Sequence, residues 1–192
     1  MKIIKILIFL IIFSGCSNLQ SVNTPEGVRK LQWVSGKSVM RKLDRLQVGD
    51  IIVKNKIASS PTSWFGHSAI VLTPWSVAEY PMIGAGFIQA PLLAWLHEDR
   101  DIVVLRYRYM DRRFMHRLLI NVKRYSNREY QITFDKYNNR KFYCSQYVWF
   151  LYYQTAKELK DPHFDYDFKR KDRLILPYDL LELPNFEVVP MN

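Results

Sequence analysis

Three side chains of this sequence have the types that thiol catalysis needs, namely Cys144, His67 and Glu79. Apolar residues repeat at helical spacing after Cys144, which predicts a helix from Cys144 to about Lys160. At a helix start, unpaired N–H groups and the macrodipole lower the pKa of a thiol and can hold a developing oxyanion. Cys144 is therefore a candidate nucleophile, and the alternative is an inert cysteine packed in the core.

A thiol nucleophile needs a base, and His67 is the best placed of the four histidines. It opens a predicted strand after Gly66, and a rigid strand end fixes the orientation of an imidazole. The other three stand in a basic helix or in loops (His97, His116 and His163). Glu79 follows His67 by twelve residues, so a hairpin could bring the two side chains together. The strand register is open at this stage, and an exposed strand glutamate is the alternative for Glu79.

The elements that must position these groups follow from periodicity and from turn residues. A first helix is predicted before Gly49, because Val39, Leu43 and Leu46 lie at helical spacing behind Ser38. An antiparallel sheet is the simplest arrangement of the short β-branched segments between them. The predicted strands are residues 51–53, 67–72, 76–80, 87–90, 101–107 and 186–189. Further helical segments are predicted at residues 91–97, from Asp111 to Arg124, from Cys144 onward, and for one turn near residues 175–181.

The first residues have the pattern of an exported lipoprotein. Residues 1–15 combine two lysines, a short apolar run and a small-residue ending, which is typical of a cleaved signal peptide. Cys16 then stands where bacterial lipoproteins carry their acylated cysteine, although Phe13 replaces the usual leucine. Residues 16–27 are read as the lipidated amino terminus and a polar tether, and residues 28–192 as one domain. Lipid on Cys16 would leave Cys144 without a disulfide partner.

Composition narrows the class of protein. The 192 residues are 48% hydrophobic and carry a net charge of +10, which falls to +8 once the signal peptide is removed. Such a surplus fits nucleic acid, anionic lipid or an acidic polymer. An exported chain rarely meets nucleic acid. The basic helix that follows Asp111 is therefore either a solvated helix face or a face that contacts anionic lipid headgroups or a cell-wall polymer.

Three blocks resemble the signature blocks of the YiiX/YaeF group, circularly permuted papain-like amidases related to NlpC-type cell-wall hydrolases. They are LQVGDII, GHSAIV and FYCSQYVW, at residues 46–52, 66–71 and 142–149. The resemblance implies an α+β, permuted papain-like fold in which a Cys-bearing helix packs on an antiparallel sheet. It implies Cys144 as nucleophile, His67 as base and Glu79 as the orienting acid. Asp50, Tyr143 and Ser145 are assigned to substrate binding or to support of the site, and Gln146 departs from the glutamate common in the family.

The expected function is a membrane-anchored thiol hydrolase that cleaves amide bonds of peptidoglycan peptides through an acyl-enzyme. Two alternatives stay open: a lipid-directed thiol acyltransferase or esterase, and a non-catalytic binding lipoprotein of the envelope. We expect no cofactor and no metal, since the sequence lacks the metal and phosphate-binding motifs. A monomer is expected, held by acylated Cys16 in a bacterial envelope membrane. In a Gram-negative cell this would be the periplasmic side of the outer membrane.

Overall fold

The computed structural model describes residues 19–57, 64–169 and 172–192. Its main sheet is antiparallel, with the strand order β11-β8-β4-β5-β6-β7, and β3 also pairs with β8. The strands of this sheet are β3 (Val34–Ser35), β4 (Ile51–Lys54), β5 (His67–Thr73), β6 (Ser76–Glu79), β7 (Ile88–Pro91), β8 (Asp101–Tyr107) and β11 (Phe186–Val188). Two smaller pairs are formed by β1 (Ser21–Thr24) with β2 (Gly27–Lys30), and by β9 (Glu129–Tyr130) with β10 (Lys141–Phe142).

Both faces of the sheet are covered, which explains why its central strands are apolar almost throughout. Neighbouring strand residues point to opposite faces, so Ile51 and Ile52 enter different hydrophobic clusters. Two long helices cover the first face, α3 (Arg112–Tyr125) and α4 (Cys144–Leu159). Two short helices cover the second face, α1 (Gly36–Met40) and α2 (Leu92–Leu96).

The two long helices begin and end where the sequence predicts. Asp111 caps α3, because its Oδ1 accepts a hydrogen bond of 2.6 Å from the Phe114 N–H. Helix α4 begins at Cys144 and ends before Lys160, which adopts a left-handed conformation with φ of 55°. The predicted α+β fold with an antiparallel sheet is therefore confirmed, and the thiol lies at a helix start.

Two predictions at the amino-terminal side were wrong. The polar tether assigned to residues 16–27 is too long, because β1 and β2 form a hairpin whose Val22 is buried. The Thr24 hydroxyl donates to the Gly27 carbonyl and Gly27 takes φ of 127°, so this polar sequence is a tight turn. The helix expected over Val39 to Leu46 is also broken: α1 starts after the cap Ser35, and a 3-10 turn at Leu43–Arg45 follows.

The signal peptide predicted for residues 1–15 and the lipidation site Cys16 lie outside the described residues. Within residues 19–57, 64–169 and 172–192, no helix has the length and apolar character needed to cross a membrane.

Asp50 anchors the turn that leads into β4, at the centre of the sheet. Its carboxylate accepts hydrogen bonds of 2.8 Å from the Gln47 N–H and from Nε and Nη2 of Arg106. Asp50 is almost fully buried, and burial raises the pKa of its carboxyl group although Arg106 and Gln47 oppose the shift. Asp50 is thus a structural bridge between the turn and β8.

We expect Asp50→Ala to lower the free energy of unfolding by about 2 kcal/mol, because buried donors lose a charged acceptor. Urea denaturation of the variant and the wild type measures this difference. The exposed neighbour Asp44 provides the control, and Asp44→Ala should leave the midpoint unchanged. An Asp50→Ala protein as stable as the wild type would contradict this role.

Candidate active site

The two strands of the β5–β6 hairpin bring His67 and Glu79 together. His67 is the first residue of β5 and Glu79 is the last residue of β6, so both lie at the same end of the hairpin. His67 Nε2 and Glu79 Oε2 are 2.5 Å apart. The indole Nε1 of Trp95, on α2, donates a second hydrogen bond of 2.9 Å to the same oxygen. The carboxylate is therefore held between an imidazole and an indole.

Cys144 approaches the imidazole from the amino end of α4. Its thiol interacts with the His67 imidazole, and because Nε2 is taken by Glu79, Nδ1 is the ring nitrogen available to sulfur. Tyr143 is the cap residue of α4, but its side chain makes no capping hydrogen bond. The Tyr143 side chain therefore accepts no hydrogen bond from the first N–H groups of α4. These groups lie at the end of the helix that carries the Cys144 thiol.

The electrostatics of this pair favour a thiolate beside an imidazolium. Burial lowers the pKa of His67, but hydrogen bonds to Cys144 and Glu79 outweigh it and raise the pKa to about 9. Burial raises the pKa of the Cys144 thiol, yet the interaction with His67 brings it below its ordinary value. Burial also opposes ionisation of Glu79, while His67 and Trp95 keep the pKa of its carboxyl group below the usual range. The arrangement is that of a nucleophile, a base and an orienting acid.

Sequence reasoning missed Lys54, a fully buried cation next to this site. Lys54 pairs with His67 across β4 and β5, and alternation places both side chains on the face that α2 covers. Its Nζ lies 3.5 Å from the centroid of the Trp95 ring and 2.8 Å from Oε2 of Glu98. Burial lowers the pKa of the lysine, and the ion pair with Glu98 opposes that shift. Lys54 therefore supports the indole that holds Glu79.

The signal for Lys54 was present in the sequence but needed the register. Ile52 and Lys54 lie on the same face of β4, and a lysine at the end of an otherwise apolar strand commonly carries its ammonium group to solvent. Only the pairing of Lys54 with His67, and the position of Trp95 above it, show that the ammonium group stays inside the protein.

The residues that flank the thiol fix a segment near the carboxyl end of the chain. The Tyr143 hydroxyl accepts a hydrogen bond of 2.9 Å from the Ile175 N–H, and the Ser145 hydroxyl donates one of 2.6 Å to the Ile175 carbonyl. Gln146 is buried and donates from Nε2 to the carbonyl groups of Lys136 and Asn138. Tyr143, Ser145 and Gln146 therefore connect the start of α4 to Ile175 and to residues 136–138.

Other candidate residues lie away from the triad. Asp50 begins the turn before β4, whereas Lys54, at the far end of that strand, is the residue that pairs with His67. His97 follows α2 and His116 lies within α3. His163 stacks on Tyr109, with the ring centroids 3.6 Å apart. In the described part of the chain, no group of three or more His, Cys, Asp or Glu side chains could hold a metal ion.

The fold is similar to that of a known protein structure. A solved structure described as the metalloprotein yiiX from Escherichia coli O157:H7 has a similar fold, with a TM-score of 0.55. The two chains are 18% identical, and the alignment covers 76% of this chain and 97% of that one. No curated protein matches the sequence significantly.

The family model of the permuted papain-like amidases, YaeF/YiiX, matches residues 45–189. This match covers most of the chain and includes all three predicted signature blocks, so the resemblance inferred from the sequence is confirmed. The chain is therefore a cysteine hydrolase that belongs to the C92 family of permuted papain-like amidases.

Proposed function

We propose that Cys144, His67 and Glu79 form a catalytic triad that cleaves amide bonds through an acyl-enzyme. The observation that carries this proposal is the position of the His67 ring, which has the Cys144 thiol on one side and the Glu79 carboxylate on the other. We further propose that a lipid on Cys16 anchors the enzyme in a membrane of the bacterial envelope. The lipoprotein pattern of residues 1–16 supports the anchor.

Each side chain has one role in the proposed reaction. The Cys144 thiolate attacks the carbonyl carbon of the amide, and the His67 imidazolium gives its proton to the departing nitrogen. The neutral imidazole then takes a proton from a water molecule, and the resulting hydroxide releases the acyl group from sulfur. Glu79 accepts the Nε2–H bond throughout, which keeps Nδ1 directed at the thiol.

The start of α4 supplies stabilisation for the tetrahedral intermediate. The N–H of Cys144 belongs to the first turn, where backbone donors have no partner within the helix. An oxyanion formed on the carbonyl attacked by Cys144 would accept this hydrogen bond and would also meet the positive end of the helix macrodipole. One helix end thus activates the thiol and stabilises the transition state.

Two substrate classes fit an amidase at this location. The first is the peptide part of peptidoglycan, which a tethered enzyme of the envelope could reach. The second is a lipid amide or ester, and the specific observation that favours it is the exposure of Phe65 and Ile83, which lie two residues before His67 and four residues after Glu79. Both classes are cleaved by the same acyl transfer.

The first prediction concerns the nucleophile. The wild type should release new fragments from muropeptides or form an acyl adduct on Cys144 from phospholipid vesicles, and Cys144→Ala should do neither because no acyl-enzyme can form. Mass spectrometry of the products measures the release, with Trp75→Ala, at the far end of the β5–β6 hairpin, as the control. Intact muropeptides beside an acyl adduct on Cys144 from phospholipid vesicles would replace the first substrate class by the second. If the wild type produced neither fragments nor an adduct, this result would contradict the proposed reaction.

The second prediction concerns pH. The pKa of His67 is raised from 6.5 to about 9, so the imidazolium is present below that pH and is lost above it. The value of kcat/KM should therefore fall as the pH rises through about 9. Glu79→Gln removes a neighbouring anion and should move this limb about one unit lower. A pH profile of kcat/KM measures the position of this fall in the wild type and in Glu79→Gln, and Glu187→Gln, at an exposed position, is the control. If the fall occurs at the same pH in Glu79→Gln as in the wild type, Glu79 is excluded from the triad.

The third prediction concerns Lys54. Its charge helps to lower the pKa of Glu79, and its Nζ supports the Trp95 ring. Lys54→Met keeps the apolar stem and should reduce kcat by about 10- to 100-fold with little change in KM, because displacement of a catalytic group is costly. Lys54→Arg should restore part of the rate.

The control for Lys54 is the exposed Lys37, and Lys37→Met should behave as the wild type. The acid limb of the pH profile should also move upward in Lys54→Met, because Glu79 is more easily protonated without the ammonium group. A slower variant with an unchanged pH profile would mean that Lys54 only supports packing.

A further inference from the structure

The connections that lead to the three catalytic residues carry exposed hydrophobic side chains. Trp64 and Phe65 precede His67, Met82 and Ile83 follow Glu79, and Ile132 and Phe134 lie in the segment before Cys144. Ile88 pairs with Glu79 across β6 and β7 and is also exposed. We call these residues the apolar rim: Trp64, Phe65, Met82, Ile83, Ile88, Ile132 and Phe134. They include more than half of the large hydrophobic residues exposed in the described part of the chain.

Contacts within the protein connect two parts of the apolar rim with segments near the thiol. Phe134 lines a cavity of about 500 Å³ together with Leu174 and Leu176. Ile175, between those two leucines, is the residue held by Tyr143 and Ser145 on either side of Cys144. The loop that contains Met82 and Ile83 continues to Gly86, which packs against the backbone of Arg128 just before β9. The apolar surface therefore borders the catalytic cleft.

The amino-terminal end of the described chain lies on this same side. The Trp33 indole donates a hydrogen bond of 2.6 Å to the Leu19 carbonyl, and its ring lies 5.5 Å from that of Tyr178. Tyr178 in turn lies close to Gly66, the neighbour of His67, since a Cβ atom at position 66 would come within 3.3 Å of the Tyr178 ring. Cys16 precedes Leu19 by three residues, which reach at most about 11 Å. A lipid on Cys16 would therefore hold the catalytic side of the molecule close to the bilayer.

Exposed basic side chains lie beside the apolar rim. Lys56 lies over the Tyr178 ring, and Arg128 lies beside Gly86. Arg173 lines the cavity with Phe134 and Asp172, and it lies 3.5 Å from Oδ1 of Asp179. Apolar side chains that enter the interface, flanked by cations that meet lipid phosphates, are the composition of interfacial membrane-binding surfaces.

We propose that the apolar rim docks on the bilayer that holds the Cys16 lipid, so that Cys144 acts on an amphiphilic amide or ester substrate embedded in that bilayer. This inference rests on the proposed triad and on the proposed anchor, and it narrows the substrate to molecules with an acyl chain or another membrane-bound portion. The substrate then enters the cleft from the lipid surface, and its scissile bond lies at the level of the headgroups.

Depth-dependent quenching tests the docking. The mature lipidated protein carries Cys144→Ala and one new cysteine, at Ile83→Cys, Phe134→Cys or Trp75→Cys, labelled with an environment-sensitive fluorophore. Trp75 is the matched control, since its side chain is 71% exposed and it lies in the turn at the opposite end of β5, about 20 Å from His67. Vesicles of phosphatidylethanolamine and phosphatidylglycerol include phospholipids with a nitroxide on the acyl chain.

Labels at positions 83 and 134 should shift to the blue and be quenched, and the label at position 75 should show neither effect. Equal quenching at all three positions would overturn the docking proposal. The absence of quenching at positions 83 and 134, in protein whose Cys16 carries lipid, would also overturn it. Neither result would affect the catalytic proposal. Mass spectrometry of the same sample reports the lipid; its absence would overturn the anchor and the docking together. Failure of the proposed triad is detected separately, when the wild type incubated with muropeptides and vesicles gives neither fragments nor an acyl adduct.

Discussion

The hydrogen bond between His67 and Glu79 is the interaction on which the proposed catalytic centre depends. It joins two neighbouring strands at one end of a hairpin, so the orientation of the imidazole is fixed by sheet pairing and not by a loop. The thiol comes from the helix on the opposite face of the sheet, and the two meet at the end of the strand. A shift of one residue in the pairing would turn Glu79 to the other face and leave the ring without its acceptor.

The surroundings of Glu79 show how a charged site is tolerated inside an apolar sheet. The Glu79 carboxylate contacts the Trp95 indole. The indole in turn contacts the ammonium group of Lys54, which forms an ion pair with the Glu98 carboxylate. Each buried charge has a partner of opposite sign or a polarised ring beside it, which offsets much of the desolvation cost. The chain of contacts ends at Glu98, which reaches solvent.

Much of the fold and the outline of the site could be predicted from the sequence. Helix α4 and β5 have strong periodic patterns, and they place Cys144 and His67 at element ends where their chemistry is recognisable. The register between β5 and β6 could not be predicted, because alternation alone does not say which residues are opposite each other. The β1–β2 hairpin was missed since its residues are polar and only Val22 enters the core. Lys54 was missed because its partners Trp95 and Glu98 lie more than forty residues along the chain.

The carboxyl-terminal segment ties together parts of the chain that are far apart in sequence. Arg29 donates to the carbonyl groups of Leu181 and Leu183, across sequence separations of 152 and 154 residues, and β11 completes the outer edge of β8. Ile175 fills the position between Tyr143 and Ser145. Contacts between residues so far apart in sequence form late in folding, because closing the long loops between them costs conformational entropy. The proposed catalytic cleft therefore cannot be finished during folding before residues 175–188 have joined the sheet and the start of α4.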